Sequence, residues 1–227
     1  MNILIINGSP KHGGFTGAAL DFAATCLQGK GVTINHVRLA DMTIHDCRGC
    51  FNCLKTGKCV IPDDVETIIK EMIKADGFVI GSPVRNALIT ACFKKFIERI
   101  TYILGFTLAL EDKYTLGIAS VGYIGGKSIS RKFCCLQDVF HTHLSDFVFC
   151  SVGIPSEKNM AKVESRLAIA TDKLIADISR RPQRSFYQRT SYLIDRVVIR
   201  KFMIERHPDV YANVIESWKS KGYIRPR

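Results

Sequence analysis

The chain lacks any apolar run approaching the ~20 residues that a membrane-crossing helix needs. It carries a single Trp, and Pro is sparse at 7 in 227 residues. No internal repeat and no low-complexity linker interrupts it, so a repeat array and a proline-rich spacer are both excluded. The opening MNILIINGSP is too short an apolar run, and too soon met by Gly and Pro, to read as a secretory leader. A cytoplasmic location is therefore expected. Acidic residues are the scarcer charge: 21 Asp and Glu stand against 32 Lys and Arg, a formal net charge of +11. The excess is concentrated at one end, where Arg180 to Arg227 holds twelve bases and four acids. Such a tail suits an acidic protein partner, or forms a plain solvated helical face. Nucleic acid is not expected as a partner.

Cysteine is plentiful. Nine of them, an odd number in a chain with no export signal, argue against a disulfide framework. Cys26, Cys92 and Cys150 are scattered and read as small buried apolar residues. Cys134 and Cys135 are adjacent and are expected to pack. Cys47, Cys50, Cys53 and Cys59 are different, because CRGCFNCLKTGKC spaces them C-x2-C-x2-C-x5-C. Three thiols in seven residues make a tight arc that suits three corners of an iron–sulfur cubane, with the fourth ligand close behind. Structural zinc usually uses two knuckles set further apart. On spacing alone the cluster, a zinc ion and unligated thiols all stay open.

With 47% hydrophobic residues, the length allows one full α/β core and an appendage. NILIIN, VTINHVRL, FVIGSP, KYTLGIASVG and DFVFCSVG read as strands, several of them continuous apolar runs of the kind buried on both faces. Helices are expected between them: about Thr16 to Gly29, from Asp63 to Gly77, from the second Gly-Ser-Pro turn to Leu104, and up to His143. In the second of these, Asp63 and Glu66 read as a capping box, with Val65, Ile68, Ile69, Met72 and Ile73 as the apolar face. The alternation predicts a flavodoxin-like, doubly wound, five-stranded parallel sheet over residues 1–155. Residues 156–227 read as a basic helical extension for oligomerisation or partner contact. Tyr187, Leu193, Ile194, Val197 and Val198 share one flank of it. Trp218, with Tyr211 and Tyr223, is expected to be buried.

Each of three strands ends in a glycine-bearing turn, the edge where open α/β sheets bind ligands. In the first, GSPKHGGFT, a strand passes through glycines into a helix N-terminus, an arrangement that offers N–H groups to a phosphate. Ser9 and Thr16 add hydroxyls and Lys11 adds charge. The Walker pattern fails because Gly14 is followed by Phe15, and G-x-G-x-x-G is absent. His141 and His143 sit two apart on an expected helix and make a poor metal pair. No Ser–His–Asp set or paired-carboxylate site of a hydrolase is apparent.

NGSPKHGGFT resembles the FMN-phosphate loop of the flavodoxin-like NADPH-dependent FMN reductases. GSPVRNALITACFKKFIER (Gly81 to Arg99) resembles that family's second loop and helix, and VGYIGG (Val121 to Gly126) its third loop. The resemblance spans about residues 1–155. It implies FMN held by Ser9, Lys11, Gly14, Phe15 and Thr16, then by Ser82, Pro83, Val84, Arg85 and Asn86, and by Gly122, Tyr123, Gly125 and Gly126. The chain departs from the family at Phe15 (usually Asn), at Arg85 and Asn86 (usually Tyr-Phe), and at Ala87 (usually Gly). The two replacements at 85 and 86 imply a more polar, more positive ring environment. The four-cysteine loop, inserted after the second strand, resembles that of the iron–sulfur flavoprotein branch. This implies a 4Fe–4S cluster on Cys47, Cys50, Cys53 and Cys59, and a homodimer or homotetramer that brings clusters near flavins. It also implies a redox role in which a ferredoxin-like donor feeds the cluster, then FMN, then a small oxidant such as oxygen, peroxide or a quinone. Two other readings are an NAD(P)H-dependent FMN or quinone reductase with a structural cysteine loop, and a non-catalytic redox sensor.

Overall fold

A computed structural model describes residues 1–123, 125–151, 153, 157–184 and 186–224. Five strands, β1 (Asn2–Asn7), β2 (Thr33–Arg38), β3 (Gly77–Pro83), β4 (Tyr114–Val121) and β5 (His143–Ser151), form one sheet in the order β2-β1-β3-β4-β5. Every pairing is parallel. The order reverses at β1 and β3, so the crevice at their carboxyl ends is the topological switch point.

Strand alternation sorts the apolar residues into two layers. Leu4, Ile6, Phe78 and Ile80 face one side, covered by α3 (Val65–Lys74) and α4 (Ala91–Ile100), which bury Ile68, Met72, Phe93, Phe96 and Ile100. Ile3, Ile5, Val79, Leu116 and Ile118 face the other side, where α1 (Phe15–Gln28) contributes Leu20, Ala23 and Leu27. That second layer is completed by Leu167, Ala170 and Leu174 of α7 (Glu157–Arg180), a helix of the tail that covers the sheet. Pro155, where the sequence suggests a boundary, lies outside the described residues.

Several local expectations are corrected. α3 begins at Val65, and Asp63 makes no capping box with Glu66. Its carboxylate is taken instead by Arg99 and by the His45 and Val65 N–H groups, while Glu66 pairs with Lys70. Ile73 is half exposed, and the helix ends at Lys74, with Gly77 already the first residue of β3. The helix expected to reach His143 is split into α5 (Lys127–Cys134) and α6 (Gln137–Phe140) by left-handed backbone at Leu136 (φ 51°) and His141 (φ 56°). His143 therefore opens β5, opposite Tyr114, with their rings stacked at 4.6 Å. Cys134 and Cys135 are fully buried as expected, whereas of the scattered thiols Cys150 is buried but Cys26 and Cys92 are partly exposed.

The rest of the tail is α8 (Phe186–Val198), running on through a π-helical stretch to Ile204, and α9 (Ala212–Ser220). Trp218 is buried, as expected, and donates its indole N–H to the Phe106 carbonyl at 2.8 Å. It packs with Val214, Ile204, Leu108 and Leu54. Leu54 belongs to α2 (Asn52–Thr56), within the cysteine loop, so the tail buttresses that loop from below. Leu193, Ile194, Val197 and Val198 of α8 do share an exposed flank, while the Tyr187 side chain lies outside the described residues.

Candidate functional site

The three strand-end turns are stitched into one platform. Gly8 N–H donates to the Gly81 carbonyl at 2.7 Å, and Thr90, at the N-cap of α4, donates its hydroxyl to the Gly8 carbonyl at 2.5 Å. Val84 N–H reaches the Ser120 carbonyl at 2.7 Å. Ser120 Oγ in turn lies 2.8 Å from the Thr16 hydroxyl, which ties α1 to β4. Ser9 is buried, with its N–H held by Asn7 Oδ1 at 2.8 Å and its Oγ accepting from Lys11 N–H at 3.3 Å. Asn7, Thr90 and Ser120 were missed by sequence reasoning. Their signal, a polar residue beside each Gly-Ser or Gly turn, is faint without the sheet order.

Gly14 caps α1 in extended conformation, no side chain closes that end, and its first turn holds no acid. The first N–H groups of α1 are thus available to an anion. Lys11 is exposed beside them, and Phe15 turns its ring into the α1 side of the core. These features fit the phosphate end of a flavin nucleotide: backbone donors, a buried serine and a nearby cation, with no acid in the first turn of α1.

On the second turn Ser82 is buried, Pro83 and Val84 are partly so, and Arg85 and Asn86 are exposed. Arg85 and Leu88 exchange both backbone hydrogen bonds, at 2.8 and 2.9 Å, around Asn86 (φ 49°) and Ala87 (φ 60°). This is a two-residue turn with both central residues left-handed, which Asn tolerates and Ala does not favour. The third turn carries Gly122, exposed Tyr123, Gly125 and Gly126, with Ile124 outside the described residues. Gly126 sits at φ 73°, and a Cβ there would come 2.4 Å from Val84 Cγ1. The second and third turns therefore touch, and the contact demands glycine.

The cysteine loop lies at the other end of α4. Cys47, Cys50, Cys53 and Cys59 line one small cavity together with Phe51, Arg99 and Tyr102, and all four thiols are free. Left-handed Phe51 (φ 57°) and Gly57 (φ 75°) bracket α2 and bend the chain back on itself. Among the described residues no three His, Cys, Asp or Glu converge on a point able to hold one metal ion. The four sulfurs share the lining of that one cavity. Burial first, and then the neighbouring Cys59, Cys47 and Cys50 thiolates, push the Cys53 thiol up to about 11. Ionised together, the four would repel one another, and a cationic cluster would offset that repulsion.

Arg99 closes this cavity. Its Nη2 donates to Cys59 Sγ at 3.3 Å and to Asp63 Oδ1 at 3.1 Å, and Nη1 donates to the His45 carbonyl at 2.8 Å and to Asp63 Oδ2 at 2.5 Å. Both side chains of the pair are buried, and Arg99 Nε has no partner. Burial alone would raise the Asp63 carboxyl; the Arg99 hydrogen bonds, with those from His45 and Val65 N–H, outweigh it and hold it below its ordinary value. The sequence marks Asp63 only as a helix cap, and Arg99 reads there as an ordinary helix end. A cavity of about 690 Å³ lies on neither set of residues but between α5 and α8.

Comparison with known proteins places these features in a context. The family model described as NADPH-dependent FMN reductase matches residues 1–134. An iron-sulfur flavoprotein of Clostridioides difficile is 28% identical over 99% of this chain and 100% of its own length. An iron-sulfur flavoprotein of Methanocaldococcus jannaschii is 36% identical, but over 48% of this chain and 56% of its own length. Among solved structures, the NAD(P)H:quinone oxidoreductase from Methanothermobacter marburgensis superposes with a TM-score of 0.61 at 17% identity, covering 77% of this chain and 96% of that one, a likeness of fold.

Proposed function

This chain belongs to the NADPH-dependent FMN reductase family, and from that membership we propose that it works as an iron–sulfur flavoprotein. In this reading it is a flavin-dependent oxidoreductase with FMN on the three strand-end turns and a 4Fe–4S cluster on Cys47, Cys50, Cys53 and Cys59. When bound, the cluster exchanges single electrons and the flavin one or two, so the pair can couple a one-electron donor to a two-electron acceptor. One observation carries the proposal: four free thiols, sealed by Arg99, face a single cavity at one end of α4, whose other end caps the first flavin turn. At ~1.5 Å of rise per residue, Thr90 and Arg99 stand roughly 14 Å apart along that helix.

The chain's own residues divide the work. Ser9, Lys11, Gly14, Phe15 and Thr16 form the phosphate end; Ser82, Pro83, Val84, Arg85 and Asn86 form one side of the ring site, and Gly122, Tyr123, Gly125 and Gly126 the other. Exposed Arg85 adds positive charge there. Arg99 orients Cys59, and Asp63 balances the Arg99 charge. Residues 1–155 are the domain that holds FMN and 156–227 the extension, whose first helix, α7, packs on the sheet. The basic tail steers an acidic ferredoxin-type donor towards the protein, and oxygen, peroxide or a quinone is the acceptor. The exposed α8 flank joins copies into a homodimer or homotetramer, and the cytoplasm is the setting.

Anaerobic rapid mixing with a reduced ferredoxin tests this reading. The flavin absorbance of the wild type should bleach, at a rate that falls steeply as salt is raised. A Cys50→Ser variant should retain FMN and lose the rapid phase. Equal rates in the two proteins would refute the relay, and full turnover with NADPH alone would point to a hydride-using reductase.

A further inference from the structure

The cavity of about 690 Å³ between α5 and the start of α8 plays no part in the electron path proposed above. Two parts of the chain build it. α5, from the flavin-binding core, supplies Ser128, Arg131 and Lys132, while the extension supplies Arg184, Gln188 and Ser191. Ile129 and Leu144 add an apolar patch. No Asp or Glu lines the cavity among the described residues.

Arg184 is the informative member. It is half buried, and neutral groups hold its guanidinium: the His141 carbonyl at 2.7 Å, the Glu111 carbonyl, and the face of the Tyr192 ring at 4.8 Å. The nearby Glu111 carboxylate is already used by Lys221, Tyr192 and Tyr223. Burial depresses the Arg184 pKa, and the attraction of the nearby Glu111 carboxylate only partly offsets it. Arg131, across the cavity on α5, is exposed. Arg131, Lys132 and Arg184 thus place basic side chains on both walls of one cavity. The volume is that of a small-molecule site, with hydroxyls and amides placed to orient a ligand.

We propose that this cavity binds an organic phosphate of nucleotide size, at a site separate from the flavin turns. Arg131 and Arg184 grip the phosphate by charge-assisted hydrogen bonds, Ser128 and Ser191 supply hydroxyls, and the Ile129–Leu144 patch takes the uncharged moiety. Because the two walls come from core and extension, an occupant clamps α8 onto α5 and stabilises the folded chain.

The test is calorimetric titration of the FMN-loaded protein, so that the flavin turns are filled, with ADP, inorganic phosphate and adenosine as separate probes. ADP should bind once per chain, phosphate more weakly, and adenosine not measurably. Arg131→Ala, a surface change that leaves the fold and FMN content intact, should weaken ADP by about tenfold, the loss of one charged contact. Arg184→Lys, which keeps the charge but not the fork, should also weaken it. The proposal is overturned if neither ADP nor phosphate binds the wild type, if adenosine binds as well as ADP, or if both variants bind like the wild type. Phosphate binding as tightly as ADP would overturn the nucleotide-sized ligand.

Discussion

Arg99 Nη2 and Cys59 Sγ meet at 3.3 Å, and the same guanidinium forks onto the buried carboxylate of Asp63. The contact joins the cysteine loop to α4 and so to the strand-end turns, and it makes Arg99 the residue on which the geometry of the loop depends. Removing the guanidinium would leave the buried Asp63 carboxylate only the His45 and Val65 N–H groups and no opposite charge, a loss of roughly 3–5 kcal/mol. Arg99→Met should therefore lower the denaturation midpoint sharply and strip iron from the loop. The double change Arg99→Met with Asp63→Asn should recover much of the stability but not the hold on Cys59. Urea unfolding and iron analysis of the two variants check this.

The contact between the second and third turns admits only glycine at 126, where a Cβ would lie 2.4 Å from Val84 Cγ1. Gly126→Ala should reduce FMN content while leaving the sheet folded, as measured by flavin release and far-ultraviolet circular dichroism. Ala87→Gly should act in the opposite sense. Ala87 sits at φ 60°, and relieving left-handed backbone there should raise stability by up to about 1 kcal/mol.

How much of this was legible beforehand varies by scale. The sheet was readable, because the five strand patterns and the two Gly-Ser-Pro turns are local signals, and the same is true of the four-cysteine spacing. The Asp63–Arg99 pair was not. It joins positions 36 apart that become neighbours only once α3 and α4 lie side by side on the sheet, and so the capping signal at Asp63 pointed to the wrong partner. The break between α5 and α6 was hidden for a similar reason: left-handed Leu136 and His141 satisfy the register that sets His143 opposite Tyr114. Tertiary pairing there outweighs helical periodicity.

His143 gives the fold an acid-sensitive point. Burial first, with the Arg184 charge adding to it, lowers its pKa from 6.5 to about 4. The neutral ring is thus favoured in the folded state. Its contribution is fully present above pH ~6.5 and is lost as pH falls towards ~4, where the native ring finally takes its proton. The loss is at most about 3 kcal/mol. Stability measured by urea unfolding should fall over that window, and His143→Phe, which keeps the stack on Tyr114, should flatten the fall.

Glu111 latches the tail. Its carboxylate accepts from Lys221 Nζ at 2.7 Å, Tyr223 OH at 2.7 Å and Tyr192 OH at 2.5 Å. Glu111→Ala should loosen α8 and α9, seen as faster hydrogen exchange there, at a loss of about 1–3 kcal/mol. Because α9 packs against α2 through Trp218, Val214 and Leu54, iron should also leave the cysteine loop faster. The sheet amides should be unaffected.

The most direct measurement is elemental: protein prepared without oxygen, assayed for iron, acid-labile sulfide, zinc and FMN, beside Cys50→Ser. Four irons, four sulfides and one FMN for each chain, with the iron gone from the variant and the FMN kept, is the expected result. Stoichiometric zinc, or a cysteine loop with no metal in protein that still holds FMN, would contradict it.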